Sequence, residues 1–163
     1  MTHLNLIETK LYTLDKLKLK LKEWNMAGDK IVFSNGCFDI LHMGHIELLA
    51  KAADLGDRLI IGLNSDISIQ KLKGIERPII SENSRTIIIA SLQFVDAVIL
   101  FSENTPFQLI SEINPDFLVK GGDYSPSNAI GGDLIKKNGG EVIIIPLTKG
   151  FSSSNIINKI RNG

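Results

Sequence analysis

Short runs of apolar, largely β-branched residues alternate with longer segments whose apolar positions recur at helical spacing, from residue 30 to the end of the chain. Most of the short runs are apolar at every position, which is typical of strands buried on both faces. The pattern predicts five strands, over residues 30–34, 58–63, 97–101, 116–119 and 141–146. It predicts five helices, over residues 44–55, 82–93, 106–113, 132–138 and 154–161.

This alternation of strand and helix determines the predicted fold class. Parallel strands need long crossover connections, which are right-handed and usually helical. We therefore predict an α/β fold, a doubly wound, Rossmann-like, parallel five-stranded sheet with helices on both faces. Sheets of this type bind ligands at the carboxyl ends of their strands, near the point where the strand order reverses.

The first 28 residues have a pattern of their own. Behind a candidate cap, Thr13, four apolar residues fall at helical spacing: Leu14, Leu17, Leu21 and Trp24. Leucines that alternate with lysines in the same stretch leave a strand open as the alternative. We predict a helical arm over residues 1–28 and a separate domain over residues 29–163. The apolar face of the arm would cover its own domain or a second subunit, and on this basis we predict a homodimer.

Charge and composition exclude several classes of partner. Lysine plus arginine equal aspartate plus glutamate at 18 each, so no global field attracts nucleic acid or an anionic membrane. The longest apolar runs are too short to span a bilayer. A single cysteine, Cys37, excludes an internal disulfide, and the chain begins without a secretory leader. We expect a cytoplasmic protein with small-molecule ligands.

Two of the three histidines, His42 and His45, flank Gly44 where the first predicted strand passes into a helix. Helix N-termini favour phosphate through their unpaired N–H groups and their dipole, and two imidazoles add donors at the same place. The absence of a side chain on Gly44 lets a bulky ligand approach the backbone. A structural histidine pair is the alternative, but the clustering favours a phosphate site. Neither a dinucleotide-binding glycine motif nor a P-loop occurs, and a zinc site lacks further ligands.

The motif His42-Met43-Gly44-His45, within GCFDILHMGH, resembles the signature of the H-x-G-H nucleotidyltransferase superfamily. Four further segments resemble one branch, the D-glycero-β-D-manno-heptose 1-phosphate adenylyltransferases. These segments are LNSD (63–66), LKG with RP (72–78), VKGGDY (119–124) and GFSSSNII (150–157). The resemblance covers about residues 30–160 and is to the form that lacks a fused sugar kinase. It implies ATP and heptose 1-phosphate as substrates, with magnesium, for lipopolysaccharide inner-core synthesis.

The resemblance also implies roles for particular residues. It makes His42, His45, Lys73 and Arg85 catalytic. It assigns nucleotide or sugar-phosphate binding to Asn35, Gly36, Cys37, Phe38, Gly44, Asn64, Asp66, Arg77, Lys120, Gly121, Gly122, Asp123, Ser152, Ser153 and Ser154. The side chains of Cys37 and Phe38 are assigned to packing, and the thiol has no nucleophilic role.

Several of these residues keep an ordinary structural alternative. The cations between the second strand and the next helix, Lys73 and Arg77 among them, could form a solvated basic loop. Any serine of the 152–154 run could be a helix cap, although three in a row suggest a second phosphate site, with Ser153 and Ser154 favoured. Asp39 could hold magnesium through water, or it could brace the loop by accepting backbone hydrogen bonds.

The implied reaction is a direct in-line displacement at the α-phosphorus of ATP by the anomeric phosphate, giving ADP-heptose and pyrophosphate. Positioning and charge stabilisation would supply the catalysis, without a general base. One alternative is a cytidylyltransferase acting on glycerol 3-phosphate or another polyol phosphate. A second is a nucleotide-binding sensor that retains the fold without turnover.

Overall fold

The computed structural model describes residues 1–122, 125–126 and 128–163. The strands are β1 (Ile31–Gly36), β2 (Arg58–Asn64), β3 (Ala97–Phe101), β4 (Phe117–Gly121) and β5 (Glu141–Ile145). The helices are α1 (His3–Glu8), α2 (Leu14–Ala27), α3 (Met43–Ala53), α4 (Asp66–Lys73), α5 (Glu82–Ala90), α6 (Phe107–Ile113), α7 (Gly132–Lys137) and α8 (Ser153–Asn162).

The five strands form one parallel sheet in the order β3-β2-β1-β4-β5, which confirms the predicted fold class. In the central strand, Phe33 pairs with Ile60 of β2 and with Leu118 of β4. The chain moves outward from β1 to β3 and then returns to the other side of β1, so the strand order reverses between β1 and β4. A ligand site is expected at the carboxyl ends of these two strands.

Alternate residues of β1 point into two separate cores because successive side chains of a strand face opposite sides. Phe33 belongs to the core that α2, α6 and α7 cover, and Val32 belongs to the core that α3 and α5 cover. Both side chains are fully buried. The helices therefore lie on both faces of the sheet, as the strand pattern predicts.

The N-terminal segment packs on its own sheet. Leu17, Leu21 and Trp24 of α2 are buried in the same core as Phe33, and the guanidinium of Arg58 lies 5.6 Å from the centroid of the Trp24 ring. The apolar face of α2 is therefore covered within the chain. The premise for a homodimer, an apolar arm without a partner, does not hold in this structure.

The sequence does not predict α4, and it predicts α1 only as part of the helical arm over residues 1–28. The short helix α1 is closed by a capping box between Thr2 and Asn5, and α4 begins at a Ser65 side-chain cap. Two of the three apolar side chains of α4, Ile67 and Leu72, are exposed, so this helix has no regular apolar face for the sequence to show. Lys73 ends this helix and does not lie in a loop. Helix α5 also ends at Ala90, three residues earlier than predicted.

Among the helices described above, none has the length and apolarity that crossing a membrane requires.

Candidate active site

A small cavity of about 200 Å³ lies at the carboxyl ends of β1 and β4, where the strand order reverses. Its walls come from the loop after β1, the start of α3, the end of α4, the end of β4 and the start of α8. The lining residues are Asn35, Gly36, Cys37, Phe38, Asp39, His45, Leu48, Lys73, Gly121, Leu147 and Ser153. Most of them belong to the segments that the sequence analysis selected.

The two histidines lie together at the N-terminus of α3. His42 occupies the N-cap position, and its carbonyl oxygen accepts from the N–H of His45 at 2.9 Å. The two rings stack with centroids 3.8 Å apart and planes 20° apart. Phe151 stacks on the other side of His42, at 6.3 Å, and Phe38 meets His45 edge-on, at 5.3 Å. The imidazoles are thus held in place by rings.

Gly44 lies where a side chain would meet close neighbours. A Cβ at this position would lie 3.1 Å from the His42 ring and 3.1 Å from the Cβ of Phe151. These separations are shorter than ordinary van der Waals contacts. The missing side chain therefore lets the His42 ring and Phe151 pack against the first turn of α3.

Both imidazoles are held neutral near pH 7. Burial lowers the pKa of His42, and burial together with the adjacent His42 and Lys73 lowers the pKa of His45 to about 4. The Nδ1 atoms of both rings are buried without a hydrogen-bond partner. A buried N–H without an acceptor is costly, so the proton belongs on Nε2. Nε2 is therefore the atom that can donate to a ligand.

The serine run supplies a second helix N-terminus beside the histidines. Ser152 caps α8 by accepting from the N–H of Asn155 at 3.0 Å. The Ser153 hydroxyl donates to the carbonyl oxygen of Asp39 and lines the cavity. Ser154 is exposed. Each serine has a different environment, and Ser153 is the one that the cavity reaches.

The three cations selected from the sequence have different environments. Lys73 lines the cavity and, within the part of the chain that the structure describes, forms no ion pair. Arg77 donates from Nε to Asp39 at 2.8 Å. Arg85 is fully buried. Lys73 is therefore the cation placed to meet a ligand directly.

Arg85 connects the loops beneath the cavity. Its Nη1 donates to the carbonyl oxygens of Cys37, at 2.7 Å, and Asn64, at 2.9 Å. Its Nη2 donates to Asp66 at 2.7 Å, and its Nε donates to the carbonyl oxygen of Ile80 at 2.9 Å. All of its hydrogen-bonding groups serve the protein, so the geometry gives it a positioning role. Asn64 and Asp66 belong to the same internal network.

The side chain of Asp39 also bonds to other residues of the protein. Its carboxylate, 1% exposed, accepts from the N–H groups of Ile79 and Ile80 at 2.9 and 3.0 Å and from Arg77. Burial alone would raise the pKa of this carboxyl, but these donors outweigh burial and lower the pKa. Two roles were considered for Asp39, binding magnesium through water and bracing the loop. The structure shows the hydrogen bonds of the second role.

These contacts decide whether the side chains fit a magnesium ion. In the described parts of the chain, no group of three or more histidine, cysteine, aspartate or glutamate side chains could hold a metal. The carboxylate of Asp39 faces protein donors and is closed to solvent. Among the described residues, Asp39, the carboxylate considered for magnesium, therefore does not fit this ion, which prefers an octahedral set of oxygen ligands.

The end of β4 holds a half-buried cation, Lys120. Lys120 donates from Nζ to the side-chain oxygen of Asn35, and burial lowers the pKa of Lys120 to about 8. Gly121 lines the cavity, and an added Cβ there would lie 2.8 Å from Leu48. Gly122 has a φ of 123°, which favours glycine. Asp123 lies outside the described residues.

Two further features were not found from the sequence. Phe151 stacks with His42 of the histidine pair. The feature of the sequence that could have indicated this contact is its position directly before the serine run. A larger groove of about 790 Å³ lies beside β3 and the start of α2. The histidines, Lys73 and the serine run are absent from its lining, whereas His45, Lys73 and Ser153 line the smaller cavity.

The profile of the Cytidylyltransferase-like family matches residues 33–159. The chain belongs to the cytidylyltransferase-like family. The matched segment includes β1 to β5 and the cavity at the ends of β1 and β4. The resemblance expected from the H-x-G-H motif is thereby confirmed.

Two curated relatives match this cytidylyltransferase-like chain over most of its length. It is 46% identical over 156 residues to the bifunctional protein HldE of Geotalea uraniireducens, covering 96% of this chain and 32% of that protein. It is 48% identical over 151 residues to HldE of Methylobacillus flagellatus, covering 93% and 31%. The chain thus spans about a third of the length of these relatives.

Solved structures agree with the fold. The lipopolysaccharide core biosynthesis protein of Thermoplasma volcanium is 33% identical, with a TM-score of 0.60 over 76% of this chain and 99% of that chain. Pantoate-beta-alanine ligase of Francisella tularensis is 17% identical, with a TM-score of 0.63 over 92% of this chain and 77% of that chain. The second likeness concerns the fold alone.

Proposed function

We propose that this cytidylyltransferase-like chain transfers the adenylyl group of ATP to D-glycero-β-D-manno-heptose 1-phosphate. The products are ADP-heptose, for the lipopolysaccharide inner core, and pyrophosphate. The observation that carries the proposal is one cavity lined by the neutral His45, by Lys73 and by Ser153 at the start of α8, with the neutral His42 stacked on His45. The choice of sugar is supported by the motif resemblance, by the identity to HldE proteins and by the likeness to a lipopolysaccharide core biosynthesis protein.

The reaction is a displacement at the α-phosphorus of ATP. A phosphate oxygen of the sugar 1-phosphate forms a bond to the α-phosphorus, the bond to the bridging oxygen breaks, and pyrophosphate leaves. Because the second pKa of a phosphate monoester is about 6, the nucleophile is already ionised at neutral pH. A general base is therefore not required, and the protein must position and stabilise phosphate charge.

The residues around the cavity provide this stabilisation. His42 and His45 donate from Nε2 to phosphate oxygens, and Lys73 supplies a positive charge. The N-termini of α3 and α8 add unpaired N–H groups and the positive ends of two helix dipoles. Preorganised donors of this kind stabilise the charge that develops in the transition state. Arg85 acts from beneath, by fixing the loops that carry the donors.

Magnesium would reach this site as a complex with the nucleotide and would neutralise phosphate charge there. Because the described side chains do not fit a protein-held ion, no step above is assigned to it.

Pyrophosphate release tests the proposal. ATP and CTP are each combined with D-glycero-β-D-manno-heptose 1-phosphate and with glycerol 3-phosphate, in the presence of magnesium. We expect release from ATP with the heptose phosphate. Release from CTP with glycerol 3-phosphate would instead indicate a cytidylyltransferase. If no pairing releases pyrophosphate although the protein binds ATP, the result would indicate a nucleotide-binding sensor.

A further inference from the structure

We propose that Asp39 is a positioning residue that holds three loops of the cavity together, and that it is not a ligand of magnesium. The kinetic part of this inference rests on the proposed function. The structural part concerns the loop after β1, the 74–80 loop and the start of α8, and it can be tested without substrate.

The side chain of Asp39 holds the 74–80 loop. One carboxylate oxygen accepts from Arg77 Nε at 2.8 Å and from the N–H of Ile79 at 2.9 Å, and the other accepts from the N–H of Ile80 at 3.0 Å. A metal ion at this carboxylate would have to displace these donors. The guanidinium of Arg77, whose side chain is 13% exposed, would then lose its counter-ion in a buried place.

The main chain of Asp39 holds the start of α8. Its carbonyl oxygen accepts from the hydroxyl of Ser153, the serine that lines the cavity. One residue thus bonds through its side chain to the loop after α4 and through its backbone to the serine run. These two segments are far apart in the sequence and meet at Asp39.

The backbone around Asp39 needs support. Phe38 and Ile40, its two neighbours, have φ values of 46° and 50°, in the left-handed region that residues with a side chain adopt at an energetic cost. Such conformations persist where surrounding contacts fix them. The hydrogen bonds of Asp39 lie between the two strained residues, and Phe38 in turn packs edge-on against His45. Loss of the carboxylate is therefore expected to release the 74–80 loop and to disturb the histidine pair.

Limited proteolysis tests the structural part. Trypsin is added to the substrate-free protein, and cleavage after Lys73 is followed by mass spectrometry for Asp39→Asn and for Arg77→Ala. We expect both variants to be cut at least fivefold faster than the parent. The matched control is Asp116→Asn, since Asp116 also accepts from a backbone N–H and a cation, at the opposite end of β1. Cleavage after Lys73 should stay within twofold in this control.

Arg77→Ala keeps the test decisive if Asp39→Asn does not fold. Removal of the Arg77 side chain deletes the same ion pair from the other partner and leaves the Asp39 carboxylate with its two backbone donors, Ile79 and Ile80. Unchanged cleavage after Lys73 in every folded variant would overturn the proposal. Because no substrate is present, this result does not depend on the reaction.

The magnesium dependence of turnover tests the kinetic part. For Asp39→Asn we expect kcat to fall about 10- to 100-fold, while the magnesium concentration for half-maximal rate stays within twofold of the parent. The double variant Asp39→Asn/Arg77→Ala should be no slower than the slower single variant, because both remove one interaction. A tenfold higher magnesium requirement, with activity restored by excess magnesium, would identify a metal ligand and refute the proposal. If the variants are cut faster than the parent but the parent itself has no turnover, the proposed function is rejected and the positioning role of Asp39 stands.

Discussion

His42 and His45 stack ring on ring, with centroids 3.8 Å apart. Two protonated imidazoles at this separation would repel each other, so the stack is compatible with the lowered pKa of each ring. The site therefore presents two neutral donors to an anion, and Lys73 is the cation that lines the cavity. This division of roles leads to the first two predictions.

Replacing either stacked histidine should remove turnover and leave the fold intact. Loss of one preorganised donor typically costs about 100- to 1,000-fold in kcat, and we expect a loss of this order for His42→Ala and for His45→Ala. Pyrophosphate release gives the rate, and circular dichroism checks the fold. The control is His3→Ala, since His3 is exposed on α1. Normal turnover in both site variants would contradict the assignment.

The pKa of His45 should rise when nucleotide binds. In the free protein it lies near 4, against an ordinary value of 6.5, and a nearby phosphate favours the imidazolium form. NMR titration of the imidazole Cε1–H signals, with and without ATP, measures the change. A His45 pKa near 6.5 in the free protein would show that the ring is not buried as described.

The lowered pKa of His45 makes the free protein less stable in acid. Because the folded pKa of His45 is lowered, the unfolded chain binds the proton first as the pH falls. The free energy of unfolding should therefore have its full value above about pH 6.5 and should decrease toward pH 4. Urea unfolding of the parent and of His45→Gln across this range should show a smaller decrease in the variant.

Arg85 should matter for stability as well as for activity. Arg85→Ala leaves Asp66 without its ion pair and three carbonyl oxygens without their donor, and we expect the free energy of unfolding to fall by about 3 kcal/mol or more. Arg161→Ala, which removes an exposed ion pair with Glu76, should cost less than about 1 kcal/mol. Equal effects in urea unfolding would show that Arg85 is not the buried connector described here.

Helix α2 should contribute to the core. We expect Leu17→Ala to lower the free energy of unfolding by about 2–5 kcal/mol, since the side chain is fully buried against the sheet. Leu19→Ala is the matched control on the same helix, with its side chain 63% exposed, and it should change stability by less than about 0.5 kcal/mol. A small effect of Leu17→Ala would mean that α2 does not pack as described.

The sheet could be predicted from the sequence because each strand is an apolar run with a clear boundary. The position of the histidine pair followed from the predicted strand–helix joint, and the structure places Lys73 and Ser153 at the same cavity. The environment of Arg85 was not predicted, since a cation beside a phosphate motif suggests a ligand contact. One signal was available: Arg85 lies one helical turn before the buried Ile89, on the inward face of α5.

The contacts of Asp39 could not be predicted in this way. Its partners lie about 40 residues further along the chain, in a loop without periodicity. That loop follows α4, a helix without a regular apolar face, since its Ile67 and Leu72 are exposed. Side-chain roles that depend on such tertiary contacts are not contained in local spacing.

The pairing of the N-terminal segment with β3 has a consequence for aggregation. The N–H of Val98 donates to Lys10 and its carbonyl oxygen accepts from Tyr12, at 2.8 and 3.0 Å, on the outer side of a strand that ends the sheet. Exposed edge strands are templates on which another chain can add a strand and begin an intermolecular sheet. Residues 10–12 thus occupy the hydrogen-bonding groups of Val98 and hinder a second copy of the chain from pairing with β3 at this point.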